Sequence, residues 1–186
     1  MKNDFTLADR ASMLDLQAYL TRAKRLDPDG HTRLRAFGPI LACYVAPIFA
    51  GSLMEKGPTV LGLRTSELAE DAEVDITVPI TAVLDRLAAL AANEENWKGK
   101  YTVALPEASR APWAGVSPPR SGWEQIGEVQ EELLTEIAKT GIAEVADSIP
   151  ESVGGPIAAR IRGEIWGRSM QFDSNVPTGA AFVAAG

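Results

Sequence analysis

A proline-rich segment, residues 117–123, holds the side chains best suited to bind a ligand. Two prolines restrict the backbone ahead of Arg120, and a glycine permits an unusual turn before Trp123. A guanidinium binds carboxylate or phosphate, and an indole offers a flat apolar face. With Arg110 and Trp113 nearby in sequence, we predict a ligand-binding site for an anion or a peptide. The alternative is an ordered loop in which Trp123 fills the core and Arg120 pairs with an acidic helix.

Side chains that act as a nucleophile or a general base are few. His31 is the only histidine, so a histidine-supported triad has to use it; the alternative is a solvated turn residue. Cys43 lies within an apolar run, where burial raises the pKa of a thiol and makes it inert, so a packing role is predicted. Ser52 and Ser121 lack the flanking glycines of a nucleophile elbow. We predict no catalytic residue, and the scarcity of reactive side chains favours a protein that is not an enzyme.

Neither a metal site nor a phosphate-binding loop can be recognised. Asp71, Glu73 and Asp75 alternate, so they share one strand face that could bind a hard cation. A calcium loop has glycine at its sixth position, where Ile76 stands, and a solvated strand edge is therefore the preferred alternative. The Gly-Lys pair at residues 99–100 lacks the earlier glycine and the following Ser or Thr of a phosphate loop. We predict no metal and no cofactor.

The charge of the chain is negative and unevenly distributed. The net charge is −7; residues 1–64 carry nine Lys or Arg and six Asp or Glu, and residues 65–186 carry nine and nineteen. Binding to nucleic acid needs clustered cations, so no nucleic-acid partner is predicted. The alternative is that nucleic acid binds to a basic cluster, which would comprise Arg22, Lys24, Arg25, Arg33 and Arg35. Ordinary solvated faces are the preferred interpretation of this asymmetry, and docking of two copies or of an anionic partner is the alternative.

Three features indicate the compartment. Cys43 is the only cysteine, so no intramolecular disulfide can form, which fits a reducing environment. The first five residues have no apolar core and do not resemble a signal peptide. The longest apolar stretch, residues 40–50, is about half as long as a membrane span and contains a proline. We predict a cytoplasmic protein with no membrane partner.

The first part of the chain, residues 1–105, is predicted to be rich in strands. Apolar residues recur at helical spacing between residues 7 and 23, and a second helix is predicted over residues 81–91. Alternating or continuous apolar runs predict strands at residues 32–37, 40–46, 48–54, 59–64, 74–78 and 101–105. Short turns between the strands indicate an antiparallel, meander-like sheet packed against helices.

The remainder divides into a connection and a helical part. Residues 106–128 are rich in proline and tryptophan, and residues 129–186 are predicted to be helical. Val129, Leu133 and Leu134 belong to one apolar helical stripe. The fold class is therefore α+β, in a single domain over residues 1–186. The small, apolar final residues suggest that the natural chain continues further.

Four short segments resemble a known group of proteins. They are residues 22–28 (Arg-Ala-Lys-Arg-Leu-Asp-Pro), 33–36 (Arg-Leu-Arg-Ala), 118–123 (Pro-Pro-Arg-Ser-Gly-Trp) and 165–168 (Ile-Trp-Gly-Arg). In these segments the chain resembles conserved, uncharacterised actinobacterial proteins of similar size. The resemblance implies a bacterial, intracellular setting and one folding unit. It assigns no activity and no catalytic residue.

Two functions are compatible with these observations. The first is a non-catalytic intracellular interaction or regulatory protein that associates with itself, because reactive side chains are few and the charge is asymmetric. The second is a protein that binds a small anionic ligand, or an enzyme with an unrecognised site, around Arg120 and Trp123.

Overall fold

The protein has an α+β fold, as predicted, and forms two compact units. One unit consists of Met1–Pro47 with Gly62–Ala114, and the other of Ile48–Leu61 with Gly115–Gly186. The structure, a computed structural model, describes residues 4–51, 57–92, 100–115, 117–125, 127–150, 154–171 and 173–185. Residues 52–54 of the third predicted strand, Ser52 among them, lie outside these ranges, as does Gly99. The single domain stays a prediction.

A four-stranded antiparallel sheet and two helices make up most of the first unit. The elements are β1 (Asp4–Leu7), α1 (Arg10–Leu26), β2 (His31–Ile48), β3 (Val60–Pro79), α2 (Ile80–Ala92) and β4 (Tyr101–Ala104). The strand order is β2-β3-β1-β4, so β2 and β3 are neighbours and β1 lies between β3 and β4. Leu7 is opposite Leu68 on one side and Tyr101 on the other.

An aspartate separates β1 from α1. The carboxylate of Asp9 accepts a hydrogen bond from the backbone N–H of Ser12 at 2.7 Å, which caps the helix. Leu7 was predicted to lie in the helix, and this was wrong, because the chain before the cap is extended and pairs within the sheet. The buried face of α1 has helical spacing and consists of Met13, Leu16, Leu20 and Ala23.

The long strand β2 folds back on itself. The hydroxyl of Thr32 donates to the carbonyl oxygen of Tyr44 at 3.0 Å, although an extended chain of that length would separate them by about 40 Å. Gly38, midway between them, has φ +98°, a conformation that glycine adopts at little cost. The two strands predicted on either side of this glycine are thus the two arms of one bent strand.

One continuous strand replaces two predicted strands in β3. Its buried residues share one face because they alternate: Ser66, Leu68, Val74, Ile76 and Val78. The four apolar ones pack with α1 and α2 in a core that also contains Leu34 and Leu41 from the two arms of β2. Glu67, Glu73 and Asp75 lie at the alternate positions on the opposite face, and the strand is continuous through this segment of mixed polarity.

Helices and a small hairpin make up the second unit. Its elements are α3 (Glu131–Ser148), α4 (Gly155–Trp166), β5 (Ser169–Met170), β6 (Asp173–Pro177) and α5 (Thr178–Ala185). β5 and β6 pair antiparallel, although they lie within residues 129–186, which were predicted to be helical. Helix α4 ends before Gly167, whose N–H donates to the carbonyl of Gly163 at 3.0 Å. A Cβ at position 167 would lie 2.7 Å from that oxygen, so the tight helix end requires glycine.

Trp166 forms the packing centre of the second unit. Its ring is buried, and its centroid lies 4.8 Å from that of Phe182 on α5. On the other side, Gly141 of α3 leaves space for the ring, since a Cβ there would lie 2.3 Å from it. Because Gly141 has no side chain, α3 and α5 can both pack against Trp166 of α4. In the described part of the chain, no helix is long and apolar enough to span a membrane.

Candidate functional site

The loop predicted to bind a ligand belongs to the second unit and presents its tryptophan to solvent. Trp123 is 69% exposed, so it does not fill the core. Its indole N–H donates to the carbonyl of Pro119 at 3.0 Å, and Gly122 has φ +80°. These two features hold the loop in a closed turn. Arg120 lies in the same turn and is also exposed.

The other two predicted ligand-binding residues belong to the first unit. Trp113 lies in a short 3-10 helix, Pro112–Gly115, and is only 5% exposed. Its ring therefore contributes to packing. Arg110 is exposed two residues before this helix. Ligand binding by Arg110, Trp113, Arg120 and Trp123 stays a prediction.

The single thiol is buried in the first unit. Cys43 is fully buried, and burial raises its pKa to about 12 even though the hydroxyl of Thr32 lies 3.1 Å from the sulfur. A thiol with this pKa is protonated at neutral pH and does not act as a nucleophile. His31, at the start of β2, is half-buried.

Two arginines of β2 share one carboxylate of β3. Nε of Arg33 lies 2.9 Å from one oxygen of Asp75, and Nε of Arg35 lies 3.2 Å from the other. Partial burial opposes ionisation of Asp75, but the hydrogen bonds and charges of the two guanidinium groups outweigh it and lower the pKa of this carboxyl. Arg33 also donates to the carbonyl of Ala114 at 2.6 Å. Both arginines therefore link β2 to β3, and Arg33 also links the sheet to the short segment that contains Ala114.

This pairing changes the interpretation of the charged residues along the strands. Arg33 and Arg35, two members of the alternative nucleic-acid cluster, are occupied by Asp75 and packing, whereas Arg22, Lys24 and Arg25 are exposed at the end of α1. Asp75 belongs to the acidic set considered for cation binding. Within the ranges that the structure describes, no three His, Cys, Asp or Glu side chains are grouped so that they could hold a metal ion.

The second unit contains an open apolar cavity along α3. Its volume is about 650 Å³. It is lined by Gly127, Glu128, Val129, Gln130, Leu133, Leu134, Met170, Val176, Ala180 and Ala184. Val129 and Leu133 are 41% and 39% exposed, so the stripe predicted from their spacing is not a core face. The small residues Ala180 and Ala184 of α5 leave the apolar lining of this cavity uncovered.

A second cavity, of about 600 Å³, continues along α3 towards its end. It shares Leu133 and Met170 with the first cavity, and we call the pair the α3 groove. Its lining also contains polar residues: Glu136, Thr140, Glu144, Arg168, Ser169, Gln171 and Thr178. A guanidinium nitrogen of Arg168 lies 2.7 Å from the carboxylate of Glu144. The groove therefore has an apolar middle and carboxylates along its edge.

Local sequence explains why the groove has acidic edges. Glu131 and Glu132 occupy the first turn of α3, where the helix dipole favours negative charge. Glu128 lies before α3 and Glu136 lies in its second turn, so the exposed Leu133 is between them in the sequence. The sequence signal for this site is thus an apolar stripe bordered by glutamates, of which only the stripe was recognised from the spacing.

The groove offers apolar area bordered by carboxylates. Five side chains of the first unit have a clearly shifted pKa: Asp9, Tyr19, Cys43, Arg64 and Asp75. Each of these five shifts arises from a helix cap, an ion pair or burial within that unit.

Comparisons with known proteins assign families without an activity. Residues 1–113 match a family described as domain of unknown function DUF8010, and residues 118–186 match one described as domain of unknown function DUF8185. The break between the two matches falls in the proline-rich connection. No curated protein and no solved structure matches the chain.

Proposed function

We propose that this chain, which belongs to the family described as domain of unknown function DUF8010, is a non-catalytic protein that associates with a second copy of itself. The observation that carries the proposal is the α3 groove, with Leu133 exposed in its apolar middle. Contiguous exposed apolar surface on a soluble protein usually marks a binding surface. The groove is open along its length, which suits a protein segment better than an enclosed small molecule.

The non-catalytic part of the proposal rests on how reactive groups are used. Cys43 is buried with a raised pKa, and Asp75 is paired with two arginines. The glutamates of the groove border an apolar floor, where they favour a cationic partner. These arrangements support a role of the groove in binding the surface of another protein molecule.

The cellular setting is part of the same proposal. A lone buried cysteine suits a reducing cytoplasm. The resemblance to actinobacterial proteins supports a bacterial origin. A net charge of −7 disfavours nucleic acid as the partner, since the phosphate backbone would be repelled.

Sedimentation velocity of the full chain with single substitutions tests this function. Leu133→Asp puts a charge on the apolar floor of the groove, so we expect self-association to weaken about tenfold or more, as for a central interface residue. Ile142→Asp is the matched control, because Ile142 is exposed on the same helix but does not line the groove. If the unmodified chain remains a monomer at all concentrations, or if both variants associate as it does, the proposal is wrong.

A second candidate function is favoured by the loop of residues 117–123. Trp123 is 69% exposed while its N–H is occupied by Pro119, which leaves a ring face beside Arg120. An exposed indole face and a guanidinium in one turn suit a small anion with an apolar part. Thermal-shift measurements with phosphate and citrate test it. Stabilisation that is lost in both Trp123→Ala and Arg120→Ala supports this function, and the absence of any shift rejects it.

A further inference from the structure

The first unit carries a helix face whose chemistry is the complement of the α3 groove. Buried residues of α1 occupy one side, and the opposite side presents Ala11, Leu14, Ala18, Arg22 and Arg25 at helical spacing. Leu14 is 43% exposed. A shallow depression of about 350 Å³ runs along this side and is lined by Leu14, Ala18, Arg22 and Arg25 among others. We call Ala11, Leu14, Ala18, Arg22 and Arg25 the α1 stripe.

The α1 stripe has an apolar half and a basic half. Leu14 and the two alanines occupy its beginning, and Arg22 and Arg25 lie one turn apart near its end. Lys24 in the same last turn adds to the positive charge. Cations at this end of a helix are also favoured by the dipole, so the arginines are stable there without an acidic partner.

The α3 groove has the opposite charge. Its floor is apolar at Leu133, and its lining carries Glu128, Glu136 and Glu144 together with one cation, Arg168, which pairs with Glu144. Glu128 and Glu136 are therefore the carboxylates that a basic partner would meet. The groove combines an apolar site with two carboxylates, and the α1 stripe combines an apolar site with two arginines.

We propose that the occupant of the α3 groove is the α1 stripe of a second copy of this chain. This inference rests on the proposed self-association and specifies which surfaces meet. Leu14 and Ala18 of one copy contact the apolar floor at Leu133 of the other, and Arg22 and Arg25 approach the glutamates on its edge. Because two different surfaces meet, the contact is heterologous, and it leads to a closed ring or an open chain of copies.

Complementary charge reversal tests this contact by sedimentation velocity at low salt. One variant carries Arg22→Glu and Arg25→Glu, and the other carries Glu128→Lys and Glu136→Lys. We expect each variant alone to associate about tenfold or more weakly than the unmodified chain, since attraction becomes repulsion. An equimolar mixture regains association, because each contact then joins opposite charges. A chain with all four changes regains it as well.

Matched controls separate this contact from a general effect of net charge. Lys100→Glu with Arg162→Glu makes the same charge change outside the stripe, and Asp85→Lys with Asp147→Lys does so outside the groove. We expect both controls to associate within about twofold of the unmodified chain. Circular dichroism verifies the fold of each variant.

The outcomes distinguish this inference from the function on which it rests. If the unmodified chain associates but the mixture of reversed variants does not, the α1 stripe is not the occupant, and self-association stands. If Leu133→Asp weakens association while neither pair of reversals does, the groove binds a different part of the second copy. If the unmodified chain does not associate, both proposals are wrong.

Discussion

Gly141→Ala tests the packing that positions the α3 groove. Gly141 lies in the middle of α3, where a glycine normally costs about 1 kcal/mol relative to alanine. On propensity alone, the substitution would therefore stabilise the protein. The structure predicts the opposite sign, because a Cβ at this position would lie 2.3 Å from Cζ3 and 2.5 Å from Cη2 of Trp166.

The magnitude follows from how far the tryptophan has to move. Carbon atoms prefer separations of about 3.5–4.0 Å, so the ring has to shift by roughly 1 Å or more. It is buried and lies against Phe182, so it cannot turn away into solvent. Overpacking of this kind costs about 1–3 kcal/mol, which exceeds the gain in helix propensity. We expect a net loss of about 1 kcal/mol in the free energy of unfolding.

Urea denaturation followed by circular dichroism measures this difference. Gly155→Ala is the control, because no atom within 4 Å meets a Cβ there, and we expect a change of less than about 0.5 kcal/mol. Trp166→Phe shortens the ring, so Gly141→Ala should cost less in that background than in the unmodified chain. A Gly141→Ala protein as stable as the unmodified chain would refute the proposed packing of the second unit.

Three further predictions concern the first unit. Thr32→Val removes a fully buried hydroxyl that donates to a backbone carbonyl, and we expect the free energy of unfolding to fall by about 1–2 kcal/mol in urea titration. Asp75→Asn removes the negative charge that Arg33 and Arg35 share and should cost about 1–2 kcal/mol at pH 7. Because folding lowers the pKa of Asp75, its contribution is present above the unfolded value of about 3.8 and is lost as the pH falls through the folded pKa, so the difference from the Asn variant should shrink below pH 4. The thiol of Cys43 should not react with a thiol reagent at pH 8 until urea is added, and since folding raises its pKa from 9.0 to about 12, stability should fall as the pH rises above 9.

The helices of this protein were largely predictable from sequence. The apolar spacing in α1, α2 and α3 predicted each of them, because a helix face is a local pattern. The strand β1 was missed, because four residues are too short for a period and its pairing partners lie far along the chain. Polar residues in the middle of β3 suggested a break that the structure does not have, since the strand is continuous from Val60 to Pro79.

The candidate site was less predictable because exposure depends on tertiary packing. Trp113 and Trp123 occupy the same proline-rich segment, yet one is buried and the other is exposed. Their local sequences do not distinguish these outcomes. Likewise, the stripe around Leu133 has the spacing of a core face, and it forms a groove because α5 contributes small residues such as Ala180 and Ala184.

Self-association through surfaces of opposite charge is tested most directly by measuring the mass of the protein in solution as a function of salt concentration. Sedimentation equilibrium of the unmodified chain over a range of protein concentrations gives that mass. We predict a value well above the 19.9 kDa of one chain at low salt and a decrease towards it at high salt, where charge attraction is screened. A mass of 19.9 kDa at every concentration and every salt level would contradict the proposal that this protein binds a second copy of itself.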